Sequence, residues 1–307
     1  MTGRAGVLLA LAAVLAVACE TQTPEQSGET AARVVTLAPH LAELMFAIGA
    51  GDLVVGVSAW SDYPEGVRTL PVIGDAFTVD HEQLALLDPD LLLAWESGMP
   101  AHTVDELRAA GYRVEVIRTH GVEDVALAML RLGELTDHQR QAGRAADSYR
   151  AQLVSLASHF TGMERIRVFY QVSDRPLFTI NGRHFLSELI GICGGTNIFE
   201  DLDELAPAIT DEAVVLRDPE VMLASDANDD PFAEWQRWPN IAANRYGNHF
   251  RIGADTSSRP TPRLVEAGRQ ICTALEAGRR GRAGAVTFDP DSRELPGPTR
   301  PAPAPAQ

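Results

Sequence analysis

The sequence is short of basic residues. Lys and Arg together number 26 against 42 Asp and Glu, which gives the chain a formal net charge of −16. A nucleic-acid partner requires a basic surface to meet its phosphates, so this balance excludes that class of ligand. The hydrophobic share of 45% is that of an ordinary soluble globular protein, and 307 residues are enough for two domains with cores of their own.

The sequence also lacks the motifs of common enzyme classes. It contains no GxSxG nucleophile elbow, no phosphate-binding Gly-Lys-Ser or Gly-Lys-Thr loop and no HExxH motif. Gly49-Ala50-Gly51 follows a predicted helix, whereas the glycines of a nucleotide-binding fingerprint precede one. Neither CxxC nor HxxxH spacing is present, and the histidines form no ligand pattern. The sequence therefore predicts a protein that is not an enzyme and has neither a cofactor nor a resident metal.

Cysteine is scarce, with three residues in the chain. The first, Cys19, follows Arg4 and an apolar run from Val7 to Ala18, a pattern typical of a secretory signal and too short for a membrane-spanning helix. Ala16-Val17-Ala18-Cys19 resembles the lipobox of bacterial lipoproteins, although Ala16 stands where Leu is usual. Residues 1–19 are therefore predicted to be a lipoprotein signal peptide with Cys19 acylated. Plain secretion is the alternative.

The remaining cysteines, Cys193 and Cys272, are an even pair in a protein exported to an oxidising compartment. A disulfide between them would close a loop of about 80 residues and would stabilise the fold by roughly 4 kcal/mol on the chain-entropy estimate. Two buried free thiols are the alternative.

Short β-rich runs alternate with helical patterns along most of the chain. Strands are predicted at 33–37, 54–57, 91–94 and 114–117, and helices at 41–48 and 82–87. From about residue 122 to 163 no strand pattern occurs, and one apolar helical face is formed by Ala146, Tyr149, Leu153, Leu156 and Phe160. The alternation resumes from Arg167. This order predicts an α/β protein with mostly parallel sheets.

The second half of the chain repeats the first. Leu41-Ala42-Glu43-Leu44 is echoed by Leu186-Ser187-Glu188-Leu189, and Val79-Asp80-His81-Glu82 by Ile209-Thr210-Asp211-Glu212. An Asp-Pro pair follows Glu82 and Glu212 at the same spacing. Two matches in the same order predict two similar lobes. We expect the apolar-faced helix to join them and a ligand to bind in the cleft between them.

Three motifs carry a resemblance to a known family. They are Ser61-Asp62-Tyr63-Pro64, Cys193-Gly194-Gly195-Thr196-Asn197-Ile198-Phe199, and Asp255-Thr256-Ser257-Ser258-Arg259 followed by Pro262-Arg263. Over about residues 33–277 the chain resembles the helical-backbone periplasmic binding proteins of ABC importers for cobalamin, siderophores and haem. The resemblance implies two similar α/β lobes joined by one long α-helix.

The chain is accordingly divided into six segments. They are a signal peptide (1–19), a flexible tether (20–32), an N-terminal lobe (33–120), a linking helical segment (121–164), a C-terminal lobe (165–278) and a disordered tail (279–307), the last rich in Pro, Gly, Arg and Ala. The resemblance implies a monomeric lipoprotein of the periplasm or cell envelope that captures cobalamin or a related corrinoid. A ferric siderophore or haem is the alternative ligand.

A corrinoid is a large, flat, mostly neutral macrocycle fringed with amides, so its site needs aromatic faces and a few polar groups. By resemblance, Trp60, Phe77 and Trp95 match aromatic positions of the family's corrinoid pocket, and Asp255 and Arg259 match groups that hydrogen-bond the ligand. Core aromatics and a surface ion pair are the alternatives.

Two further aromatic residues are predicted to contact the ligand: Tyr63 in the first lobe and Phe178 in the second. The sequence departs from the family pattern at one position of the second lobe. Ala206 stands about where the family has a tryptophan, so a ring contact is missing unless Trp235 or Trp238 replaces it.

Glu82 and Glu212, the repeat-related acids, resemble the two glutamates by which such proteins dock on arginines of the permease, one per lobe. Opposite charge would steer the encounter. The implied partners are therefore the ABC permease with its ATPase, and the membrane through the lipid anchor. Taken singly, each acid is also an ordinary residue at a helix N-terminus.

Overall fold

The computed structural model of the chain describes residues 30–286, apart from Ala76 and Asn228. The predicted signal peptide, the acylation of Cys19 and most of the predicted tether and tail lie outside the described residues. The end of the tether needs a correction, because Ala31 is already buried and its amide donates to the Leu135 carbonyl at 2.9 Å.

The N-terminal lobe contains a fully parallel sheet with strand order β2-β1-β3-β4. Its strands are β1 (Val34–Thr36), β2 (Val54–Val57), β3 (Leu91–Trp95) and β4 (Val114–Ile117), and its helices are α1 (Pro39–Ala47), α2 (His81–Leu87) and α3 (Ala101–Ala109). The central strands β1 and β3 are buried almost throughout, as continuous apolar runs in a parallel sheet require. The carboxyl ends of all these strands lie along one edge of the sheet.

Two helices fill the segment between the lobes: α4 (Val122–Thr136) and α5 (Gln139–Ser158). They pack side by side, and a left-handed Asp137 (φ 59°) ends α4 and allows the short connection. The second helix is the long one, and it carries the predicted apolar face, with Ala146, Tyr149 and Leu153 buried. The Tyr149 hydroxyl donates to the first carbonyl of α4, that of Val122, at 3.0 Å.

The C-terminal lobe contains a second parallel sheet, with strand order β10-β9-β5-β8. Its strands are β5 (Ile166–Gln171), β8 (Gly195–Asn197), β9 (Val221–Ser225) and β10 (His249–Ile252), with a small hairpin of β6 (Ser173–Asp174) and β7 (Leu177–Phe178). Its helices are α6 (Phe185–Ile192), α7 (Asp211–Arg217), α8 (Ala242–Tyr246), α9 (Ala254–Ser257) and α10 (Leu264–Val286). The predicted fold class, two similar α/β lobes with mostly parallel sheets joined by one long α-helix, is confirmed, with the difference that the linking segment contains α4 in addition to the long helix α5.

The internal repeat extends to side-chain contacts. α2 and α7 both end at a left-handed Asp with φ 43°, Asp88 in one lobe and Asp218 in the other. In each lobe an arginine at the start of a central strand donates to the carbonyl of that Asp: Arg33 at 3.1 Å and Arg167 at 2.9 Å. The two lobes therefore share the same helix-to-strand connection in detail.

One continuous hydrophobic core passes through both lobes. It includes Leu44 of α1, Met129 of α4, Tyr149 of α5 and Leu275 of α10. Because this core crosses the boundary between the lobes, opening them widely would expose buried apolar surface at a cost of about 25 cal/mol per Å². The fold therefore favours small movements of one lobe against the other.

A disulfide between Cys193 and Cys272 joins the end of α6 to α10, as predicted. Both cysteines are buried in the shared core, and their separation in sequence is 79 residues. The alternative of two free thiols is therefore wrong.

The predicted tail also needs a correction, because α10 continues through Arg279 to Val286. Arg279 donates to the carbonyls of Cys193 and Gly194, both at 2.9 Å, and Arg282 reaches Glu220 at 3.1 Å. These arginines fix the last turns of the helix to the C-terminal lobe, which composition alone did not reveal. Between residues 30 and 286, no helix has the length and apolar character needed to cross a membrane.

Candidate ligand-binding cleft

The carboxyl edges of the two sheets face each other across a cleft. Arg259, just after α9 of the C-terminal lobe, donates to the Asp62 carboxylate at 2.5 Å and to the Trp60 carbonyl at 3.0 Å. Asp62 and Trp60 belong to the loop that follows β2 of the N-terminal lobe. Ligands of open α/β sheets bind at such carboxyl edges, so the cleft has the position of a binding site.

A buried ion cluster links the lobes at the base of this cleft. The carboxylate of Glu43 on α1, which is 4% exposed, accepts hydrogen bonds from Arg259 at 3.0 Å and from Arg263 at 2.9 and 2.6 Å. Burial opposes the charge on Arg259, but the bonds to Asp62 and Glu43 outweigh it and raise its pKa. The bond to Arg259 in turn lowers the pKa of Asp62. The charges of Arg259 and Arg263 balance those of Glu43 and Asp62, and Arg68 adds a positive charge at the exposed side of Asp62.

The loop that carries Trp60 is held in an unusual conformation. Trp60 has φ 67°, in the left-handed region that costs a non-glycine residue roughly 1–2 kcal/mol, and its side chain is 83% exposed. The bond from Arg259 to its carbonyl holds it there. Tyr63 of the same loop lies under the Arg263 guanidinium, 4.2 Å from the ring centroid. Strained backbone and an exposed indole are both unfavourable for folding by itself, which agrees with the prediction that Trp60 meets a ligand.

Phe77 occupies a second loop at the same edge. The Asp75 carboxylate accepts from the backbone amides of Phe77 and Thr78, each at 2.8 Å, and these bonds lower the pKa of Asp75. The loop is tied to the Trp60 loop by a 2.6 Å bond from the Ala59 amide to the Gly74 carbonyl. The Phe77 side chain is 79% exposed, so it is not a core aromatic.

Trp95 ends β3 and is half-buried. Its ring lies edge-on to His40 of α1, with 4.9 Å between the ring centroids. The ring also lies against Gly98, where any side chain would collide with it. Burial, and then the charge of Arg259, lower the pKa of His40 to about 3, so the imidazole is neutral. His40 Nε2 and Trp95 Nε1 are both buried without a hydrogen-bond partner. They are polar atoms at the cleft base that a ligand amide or a water could satisfy.

A cavity of about 320 Å³ lies at the carboxyl edge of the second sheet. Its lining includes Tyr170, His184, Phe185 and Ser257. Burial raises the pKa of Tyr170 to about 12, and burial followed by the nearby His120 lowers the pKa of His184 to about 4. His184 Nδ1 accepts from the Leu186 amide and so caps α6 as a neutral imidazole. These groups form an uncharged wall at the carboxyl edge of the second sheet.

Some predicted residues do not come together. Trp235 is 2% exposed in the outer core of the C-terminal lobe and donates to Gln171 at 2.6 Å, and Trp238 packs against the same core. Neither tryptophan supplies the ring missing at Ala206. Asp255 is exposed on α9, and Arg259 bonds across the cleft to the other lobe, so the alternative of a surface pair between them is wrong.

Phe178 is half-buried in β7, in the hairpin that follows β5, and pairs with Ala208. Its place at the edge of the second sheet agrees with the prediction that it lines the cleft from the second lobe. Its contact with a ligand stays a prediction, as do those of the other six predicted residues.

Sequence reasoning missed Glu43 and, in the second lobe, Tyr170 and His184. Glu43 had a readable signal, because a carboxylate on an apolar helix face beside Leu44 must find a cation. Tyr170 and His184 could have been found by applying the carboxyl-edge rule to the second repeat as well as to the first. Among the residues described, no cluster of His, Cys, Asp and Glu is arranged to hold a metal ion.

Two α/β lobes on a helical connection, with a largely uncharged cleft between their carboxyl edges, define a solute-binding protein. The sequence profile described as "Periplasmic binding protein" matches residues 34–256, and the chain belongs to this family. A vitamin B12-binding protein of Vibrio parahaemolyticus is 32% identical over 257 residues, which cover 83% of this chain and 94% of the relative.

Comparison with solved structures leads to the same family. The crystal structure of a periplasmic vitamin B12-binding protein of Vibrio cholerae matches with a TM-score of 0.75 at 31% identity, covering 81% of this chain and 98% of that one. A periplasmic haem-binding protein of Roseiflexus sp. RS-1 matches with a TM-score of 0.69 at 21% identity, covering 80% and 98%, and shows the shared fold alone. The predicted family resemblance is confirmed.

Proposed function

We propose that the protein captures cobalamin or a related corrinoid in the cleft and delivers it to the permease of an ABC importer, without chemical change of the ligand. The observation that carries this proposal is the exposed Trp60 ring, displayed on strained backbone in a loop that Arg259 of the second lobe holds by a hydrogen bond. Tyr63, Phe77, Trp95 and Phe178 would add aromatic surface. The names of the relatives at 32% identity support the same ligand.

The charge of the cleft favours a corrinoid over an anionic ligand. A ferric siderophore or the propionates of haem would need arginine or lysine charges free to meet them. The two arginines at the base, Arg259 and Arg263, already face Glu43 and Asp62, which neutralise them. The amides of a corrinoid need hydrogen-bonding groups but no counter-charge, and the unpartnered His40 and the exposed Asp255 can supply such groups.

Calorimetry on protein lacking residues 1–19 tests this proposal, with cyanocobalamin, cobinamide, haem and a ferric siderophore as ligands. We expect cyanocobalamin to bind with micromolar or better affinity and to be recovered unchanged. Trp60→Ala should weaken binding by about ten- to a hundredfold, as expected for the loss of a large stacking surface. Val154→Ala, an exposed apolar change on α5, is the matched control and should leave the affinity unchanged. Failure of cyanocobalamin to bind would reject the corrinoid assignment.

We propose further that Glu82 and Glu212 dock on the permease. Both carboxylates are exposed in the first turns of the repeat-related helices α2 and α7. Replacing both with alanine should leave the affinity for the ligand intact and abolish uptake. Loss of affinity in that variant would assign the two acids to the binding site instead.

The membrane anchor is the last part of the proposal. We propose that Cys19 is acylated after cleavage of residues 1–18, which would hold the binding protein near its permease. Mass spectrometry of the mature N-terminus should find a lipid on Cys19, and Cys19→Ser should release the protein from the membrane fraction. A mature protein with an unmodified N-terminus would favour plain secretion.

A further inference from the structure

Within the part of the chain that the structure describes, four large apolar side chains are more than three-quarters exposed. Two are the cleft aromatics, Trp60 at 83% and Phe77 at 79%. The other two are Leu86 at 79% and Leu216 at 87%, and both lie on helices outside the cleft lining. A single exposed leucine is ordinary and needs no explanation. Two at matching positions of an internal repeat are a different observation.

Leu86 and Leu216 are equivalent residues of the two lobes. Each lies four positions after the exposed glutamate of its helix, Glu82 in α2 and Glu212 in α7. Residues four apart share one face of a helix, so each lobe displays a Glu–Leu pair on one outward face.

The opposite face of each helix is buried. Leu84 and Val214, the equivalent core residues between Glu and Leu, are both 0% exposed. The apolar contact of each helix with its lobe is therefore made by other residues, and packing within the protein gives no reason for a leucine on the outer face.

The two Glu–Leu pairs also lie on helices that begin and end in the same way. A side chain caps the start of each helix: the Gln83 amide donates to the Asp80 carboxylate at 2.9 Å, and the Ala213 amide donates to the Thr210 hydroxyl at 3.3 Å. Each helix ends directly before the central strand of its sheet, so its N-terminus lies at the carboxyl edge that borders the cleft. The two faces are therefore presented in the same orientation relative to their sheets.

We propose that Leu86 and Leu216 are apolar anchors that enter two equivalent sockets on the permease, one per lobe, beside the cations that meet Glu82 and Glu212. This proposal rests on the proposed function and extends it. Two matching faces fit a partner that presents the same surface twice, as a two-fold symmetric permease does. Because each leucine lies beside an acid, a basic residue of the permease is expected next to each socket. The chain's net charge of −16 adds to the attraction.

The test measures docking of the ligand-loaded protein on the permease–ATPase complex of its own importer in lipid nanodiscs. Leu86→Ser with Leu216→Ser should weaken docking by about a hundredfold, roughly tenfold for each leucine withdrawn from an apolar socket. Leu86→Met with Leu216→Met should retain it, because methionine keeps the apolar volume. Val154→Ser, on a residue that is 69% exposed on α5, is the matched control and should dock normally.

Two outcomes separate this inference from the function on which it rests. If the serine variant docks as tightly as the unmodified protein while the Glu82 and Glu212 variant fails, the leucines are not anchors and the proposed function stands. If the unmodified protein neither binds cyanocobalamin nor docks, both are rejected. Calorimetry with cyanocobalamin on the serine variant must give unchanged affinity, because a loss there would mean that the substitutions disturb the cleft.

Discussion

Replacing Glu43 tests the ion cluster that joins the lobes. Its carboxylate is 4% exposed and accepts three hydrogen bonds from Arg259 and Arg263. Glu43→Gln keeps the shape but removes the charge, whereas Glu43→Ala removes every acceptor. Arg263 would then lose its carboxylate partner, and Arg259 would keep only its contacts with the loop that carries Asp62.

The size of the effect follows from burial. Breaking a fully buried ion pair costs about 3–5 kcal/mol, and the arginine side chains here are 16% and 23% exposed, so Glu43→Ala should cost about 3 kcal/mol of folding stability. Glu43→Gln retains neutral hydrogen bonds and should cost about 1–2 kcal/mol. Because Arg259 also fixes the Trp60 carbonyl, we expect either change to loosen the Trp60 loop and weaken cyanocobalamin binding about three- to tenfold.

Urea unfolding followed by tryptophan fluorescence, together with calorimetry of cyanocobalamin binding, measures both effects. The matched control is Glu266→Gln, which breaks the exposed pair with Arg269 (49% and 54% exposed) and should cost less than about 0.5 kcal/mol. The reasoning is refuted if Glu43→Gln unfolds at the same urea concentration as Glu266→Gln and binds the ligand as tightly as the unmodified protein.

Two further predictions concern stability. The pKa values of His40 and His184 are lowered to about 3 and about 4, so the unfolded chain takes up protons below pH 6.5 that the folded protein does not. Stability is therefore retained above pH 6.5 and lost as the pH falls, by about 2 kcal/mol per histidine at pH 5, and His40→Gln should flatten the pH profile of urea unfolding. An unchanged profile in that variant would show that His40 is not the source. Cys193→Ala with Cys272→Ala should lower the free energy of unfolding by roughly 4 kcal/mol and make it insensitive to reductant, whereas an equally stable variant would contradict the loop-entropy estimate.

Much of the fold could be read from local patterns. The apolar runs at 54–57, 91–94 and 114–117 are strands, and the face of Ala146, Tyr149 and Leu153 is the buried side of α5. These features depend on the spacing of apolar residues within one element, which the sequence records directly. The repeat was readable for the same reason, since Asp88 and Asp218 end their helices in the same way.

The base of the candidate site could not be read in this way. Asp255 and Arg259 have the spacing of a helical ion pair, yet Arg259 bonds to Glu43, 216 positions away in the sequence. Trp235, a candidate cleft ring, is a core residue bonded to Gln171. The partner of a long, flexible side chain is set by which elements the fold brings within a few ångströms, and sequence spacing contains no such distance.

The sequence by itself determined the two similar lobes, the helical connection and the cysteine pair, because these follow from periodicity, repetition and a small set of residues. The tertiary structure alone decided that Glu43 and Asp62 neutralise the two arginines and that Arg259 holds Trp60 in left-handed backbone. The physical reason is that the charge of a cleft depends on which ions are paired across its walls, and the pairs here join residues about 200 positions apart in the chain.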